Sequence, residues 1–159
     1  MGLRRPPLGP VRDEEDGFTL IELMMVVLII GILIAIALPT FLGARTRAAD
    51  RSAESTLRNA VAAALTYQAG KQDFNGFDVA AAYDQESGLT WEASGTVPLP
   101  GHVTIQVAAG DQLDLVTSSQ SGKFFCVAQL PNSPATTYGQ GAQFSDVDAV
   151  ADCNQGWDL

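Results

Sequence analysis

Glu22 is a carboxylate inside a run that is otherwise apolar. Phe18–Leu42 spans 25 residues, 20 of them apolar, and no charge occurs between Leu23 and Ala44. A carboxylate at the edge of hydrocarbon is costly unless it is paired, and such residues usually carry function. Two roles are open to Glu22. It complements the dipole at the start of a helix, or it neutralises a cation. The junction just before it can supply one. A cut after Gly17 would leave Phe18 with a free amine, and Gly17, having no side chain, lets a catalyst approach its backbone closely. Phe18 and Glu22 are four apart, so a pair within one helix is geometrically possible; a pair between two chains is equally compatible with the sequence.

The other reactive residue types are sparse. The single histidine, His102, opens a predicted strand and reads as a surface or hydrogen-bonded histidine rather than a ligand. Asp146, Asp148 and Asp152 could approach a calcium ion, but their spacing lacks the EF-hand pattern and its glycine, so a solvated acidic face is expected there. Two cysteines, Cys126 and Cys153, exclude a dense disulfide scaffold and a four-cysteine zinc site. Gly-x-Ser-x-Gly, a phosphate-binding loop and His-Glu-x-x-His are all absent. No enzyme, cofactor or metal is therefore expected. Trp91 and Trp157 read as packing residues.

The elements that must position Phe18 and Glu22 follow from length and charge. As a helix, the uncharged stretch Leu23–Ala44 is about 33 Å long, enough to cross a bilayer's hydrocarbon core. A secretory signal would show a shorter apolar run followed by a small-residue cleavage site; here the distinctive junction precedes the run. Removing the segment before it would discard a polar, proline-rich piece (Pro6, Pro7, Pro10) and keep the apolar helix. Ala49, Ala53, Leu57, Ala60, Val61, Ala64 and Leu65 continue at a helical three-to-four spacing, so a second, amphipathic helical part ends near Gly70 and needs a partner for its stripe. Beyond it, a short helix is predicted at Asp78–Glu86. Strands are predicted at His102–Ala108, with Val103, Ile105 and Val107 on one face, and at Leu113–Thr117, Lys123–Leu130 and Thr136–Tyr138. Asn132, Pro134, Gly139 and Gly141 read as loop markers.

The chain of 159 residues carries nine basic and 18 acidic side chains, a formal charge of −9. The first 70 residues nearly cancel, and residues 71–159 hold Lys71 and Lys123 against eleven acids. This balance argues against direct nucleic-acid binding over a broad basic surface, and 47% hydrophobic content excludes a disordered chain.

Gly17-Phe18-Thr19-Leu20-Ile21-Glu22-Leu23, followed by the apolar run, resembles the N-terminus of type IV prepilins. Gly31 and Pro39 also match positions where that family carries helix-weakening residues. The resemblance implies a prepilin peptidase that cuts between Gly17 and Phe18 and methylates Phe18. It also implies Glu22 of one subunit neutralising the Phe18 amine of a neighbour, and local melting between Gly31 and Pro39 as subunits leave lipid for a fibre. Export would place Cys126 and Cys153 where disulfides persist, and the pair resembles the C-terminal disulfide loop of many pilins. The chain departs from the usual leader in carrying Asp13-Glu14-Glu15-Asp16 directly before Gly17. Orientation depends mainly on lysine and arginine: Arg4, Arg5 and Arg12 can hold the leader inside, although Arg45, Arg47 and Arg51 flank the other end.

The expected fold is α+β: a long N-terminal helix packed on a small C-terminal antiparallel sheet. Four regions are expected: a cytoplasmic leader (1–17), a transmembrane assembly helix (18–42), an amphipathic continuation (43–70) and an extracellular β-rich head (71–159). The implied function is a structural pilus subunit serving adhesion, motility or DNA uptake. Its implied partners are a prepilin peptidase, an inner assembly platform, the membrane and other copies of itself. A pseudopilin of a type II secretion system and a non-polymerising, single-span binding module are the alternatives.

Overall fold

The computed structural model describes residues 17–130 and 135–157. The expected leader up to Asp16, and the loop markers Asn132 and Pro134, lie outside the described residues. The chain forms two compact units, one ending at Phe41 and the other running from Leu42. Helix α1 (Leu20–Lys71) contributes to both.

In the first unit Thr19 stands immediately before the helix. Its Oγ1 accepts from the Glu22 amide at 3.3 Å and its carbonyl accepts from the Leu23 amide at 3.2 Å, which satisfies donors that a helix start leaves free. Gly31 and Pro39 both lie within the helix. Every described residue up to Phe41 is exposed.

The second unit packs the remainder of α1 and a short helix α2 (Val79–Gln85) with five strands: β1 (Thr90–Glu92), β2 (His102–Ala109), β3 (Gln112–Ser118), β4 (Phe124–Gln129) and β5 (Thr136–Gly141). They form one sheet in the order β1-β2-β3-β4-β5. β1 pairs parallel to β2 and all other pairs are antiparallel. The sheet is thus mostly, not wholly, antiparallel.

The two faces of the sheet have different cores. Val103, Ile105, Leu113, Leu115, Phe125 and Val127 face a cluster that includes Ala53, Leu57, Ala60 and Ala64 of α1. The alanines let helix and sheet approach closely, while Leu57, fully buried, fills the space between them. On the opposite face Val116, Cys126 and Ala128 pack against Val147 and Cys153 of the C-terminal segment.

Several expectations change here. Ala63 joins the buried stripe, whereas Leu65 is 39% exposed, because it sits one position past the 53-57-60-64 repeat. α1 ends at Lys71 rather than at Gly70, and Gln72 makes the left-handed exit at φ 69°. A bulge between Ile105 and Val107 breaks the predicted alternation, leaving Val107 half-buried. β1 was not predicted, since three residues carry no readable period. Gly139 and Gly141 are strand residues, not loop markers. A Cβ at Gly139 would lie 2.8 Å from Cys153 Cα, and one at Gly141 would lie 2.4 Å from Asp146 Cβ. Glycine at both positions lets the C-terminal segment lie against β5.

Candidate functional site

The first unit presents the chain's largest exposed apolar surface. Phe18 is 81% exposed, and the large side chains from Leu20 to Leu42 are all exposed as well. An 18-residue window of α1 has a mean hydropathy of 3.0 with none of it buried inside the chain. By length and composition this part of α1 can cross a membrane. A surface of that size demands cover from lipid or from other protein.

At its start, the Glu22 carboxylate turns back along its own chain. Thr19 Oγ1 is 3.5 Å from Glu22 Oε2 while accepting from the Glu22 amide, an arrangement close to a helix capping box. The carboxylate is thereby held in the first turn, where the helix dipole favours negative charge. Gly17 has no atom within 4 Å of the place a Cβ would occupy, and its φ is not left-handed. The fold of this chain therefore does not itself require glycine there. Gly31 is likewise free of neighbours.

The second unit brings Cys126 and Cys153 together in a disulfide, with Cα atoms 5.8 Å apart and both residues fully buried. Asp114 joins them as a buried triplet of potential ligand atoms, but the cysteines are consumed by the disulfide and are not ligands. Among the aspartates first considered for calcium, Asp146 accepts from the Gln143 amide at 2.9 Å and terminates a short 3₁₀ turn, Phe144–Asp146. His102 pairs through Nδ1 with Glu92. Trp91 is buried and donates to the Glu86 carbonyl at 2.9 Å; Trp157 stacks edge-on with Tyr138 and donates to the Gly139 carbonyl at 3.0 Å.

Three polar features were not singled out from the sequence. Asp50 accepts from Ser119 Oγ at 2.7 Å and from Ser121 Oγ, tying α1 to the β3–β4 turn. Glu54 is buried on α1 and is paired with Arg58 at 3.6 Å; the Arg58 guanidinium also lies 5.3 Å from the Trp157 ring centre. Asp114 is fully buried in β3. Loss of its hydration, then the nearby charges of Asp148 and Asp152, push its pKa up to about 7. The sequence signal was faint: Asp114 interrupts the apolar β3, and Glu54 falls beside Ala53 on the stripe.

The helix start and its apolar continuation coincide with residues matched elsewhere. A family profile described as the prokaryotic N-terminal methylation motif matches residues 14–38. The fimbrial protein of Neisseria meningitidis serogroup B is 31% identical over 151 residues, covering 88% of this chain and 86% of the relative. The type IV narrow pilus major component of Thermus thermophilus is 33% identical over 113 residues, 69% of this chain and 91% of the relative. The type IV major pilin of Myxococcus xanthus is 41% identical over 64 residues, 40% of this chain and 29% of that protein. No solved structure matches the chain. Likeness that extends from the motif through the head to nearly the full length of two pilus proteins places this chain in the type IV pilin family.

Proposed function

We propose that the chain is made as a membrane-inserted precursor, cut between Gly17 and Phe18 by a prepilin peptidase, methylated at the Phe18 amine and polymerised into a surface filament. The observation that carries this reading is the pairing of a motif-bearing start with an apolar helix that the chain leaves wholly uncovered. Lipid covers that helix before assembly and neighbouring helices cover it afterwards. An inner assembly platform moves it between the two. The head, with its eleven acids, faces outward. The curated relatives are named as pilus and fimbrial subunits, which favours a pilus over a secretion pseudopilus. Family membership assigns a structural role rather than an enzymatic one.

Gly17 supplies the first test. Because a side chain there meets nothing within this chain, Gly17→Val leaves folding intact and obstructs only the peptidase. The expected outcome is a full-length precursor that accumulates in the membrane with no surface filament. A Gly17→Val chain that is trimmed and assembled normally would contradict the proposed cut.

A further inference from the structure

The face of the sheet away from α1 is covered by residues 142–156, and beneath that cover lies a carboxyl group without a hydrogen-bond donor among the described residues. Asp114 is fully buried. Its Oδ2 has no hydrogen-bond partner among the described residues. Its Oδ1 lies 3.5 Å from Cys153 Sγ, and a disulfide sulfur has no proton to donate. Beside it in the sheet stand Ala128 and Val107, neither of which can compensate a charge. From the covering segment the facing charged groups are Asp148 and Asp152, both of its own sign.

A buried carboxylate without donors or a cation is strongly disfavoured, whereas the neutral acid is tolerated. The cover is tied to β4 by the Cys126–Cys153 disulfide and by the Phe124–Phe144 ring contact, and among the described residues it is otherwise held by a short set of hydrogen bonds. Trp157 Nε1 donates to the Gly139 and Cys126 carbonyls at 3.0 and 3.3 Å, the Gly156 amide donates to the Tyr138 carbonyl at 2.8 Å, and Gln106 Nε2 donates to the Asp148 carbonyl at 3.3 Å. The small cluster under it, Val116, Cys126, Ala128, Val147 and Cys153, is separate from the main core. Trp157 packs instead on Phe125 of the main core and under Arg58 of α1, so residues 142–156 can open locally while it stays with the α1 face.

We propose that Asp114 is a proton-operated latch for residues 142–156: as the neutral acid it allows the segment to close over the disulfide, and as the carboxylate it drives the segment open. Opening lets water reach Asp114, separates it from Asp148 and Asp152, and exposes the Cys126–Cys153 bond to solvent. Burial and the two carboxylates raise the closed form's pKa to about 7, so opening becomes easier as pH rises from about 4 and levels off above about 7.

The test uses the full chain in detergent micelles and measures how fast a phosphine reduces the disulfide. The rate is taken relative to Asp114→Asn at each pH, so that the reagent's own pH dependence cancels. The ratio is expected to be close to one at about pH 3.5 and to rise to roughly tenfold or more by about pH 7, levelling off above that, because the amide variant cannot ionise. A ratio that stays flat overturns the latch. Should Asp114→Asn fail to fold, Asp148→Asn with Asp152→Asn serves instead. Removing two like charges lowers the pKa of Asp114 in the closed form, so the rise in reduction rate levels off at a lower pH and at a smaller enhancement than in the native chain, and an unchanged plateau overturns the proposal. The measurement is repeated with millimolar calcium. An unchanged profile supports a proton latch, and a segment held shut by calcium at high pH would make the site a cation site instead.

Discussion

Glu22 and Asp114 are both carboxylates in apolar surroundings, and they differ in what holds them. Glu22 is exposed, capped by Thr19 and placed where the helix dipole favours it. The chain tolerates it alone, and we propose that its further role lies between chains. Glu22→Ala is expected to be cut and methylated normally while filament yield falls by roughly tenfold or more, since an unpartnered amine in a packed helix core is strongly penalised. Shearing and quantifying surface filaments measures this, and normal assembly would remove Glu22 from the mechanism. Asp114 has no hydrogen-bond donor among the described residues and is destabilising when ionised. Its folded pKa lies near 7, above its unfolded value of about 3.8. The folded state therefore binds the proton more tightly, and stability falls as pH rises from about 4 to about 7, levelling off above that. Asp114→Asn removes this loss and is expected to stabilise the head at pH 7 by roughly 2–4 kcal/mol. Urea unfolding at pH 4 and pH 7 gives the comparison; a variant that is no more stable at pH 7 would show that the carboxyl is not confined as described.

At the scale of elements, the C-terminal segment depends on two strand glycines. Gly139→Ala drives a methyl group into Cys153 Cα, the Asp152 carbonyl and Cys126 Sγ, all within 2.9 Å. The expected cost is about 1–3 kcal/mol, read as a lower urea midpoint with the disulfide intact. No loss would mean that the segment does not rest on β5. These glycines also mark where the sequence stopped being legible. In a one-dimensional reading a glycine signals a turn, and only the segment lying across β5 explains why two of them sit inside a strand. The four longer strands and both helices were readable because each carries its own period or its own cap, as with Val103 and Ile105 in β2 or Asp78 before α2, whose Oδ1 accepts from the Ala81 amide. β1 was not readable because its position comes from pairing with His102–Thr104 rather than from its own three residues. Asp50 and Glu54 looked like ordinary solvated helix charges, since their partners Ser119, Ser121 and the packed head lie far along the chain or across the fold.

For the whole molecule, the averages conceal a partition. The 47% hydrophobic content includes a 25-residue run that the chain does not bury, and the −9 charge belongs almost entirely to residues 71–159. An uncovered apolar helix and an acidic head suit a subunit that is soluble neither in lipid nor in water as a whole. Burial of the helix by neighbouring helices, with the heads outside, resolves that conflict in a filament. N-terminal mass spectrometry of filaments sheared from the cell surface tests this account most directly. The predicted result is a mature chain that begins at methylated Phe18 and lacks Met1–Gly17. Filaments without this chain, or a surface chain still carrying Met1–Gly17, would contradict it.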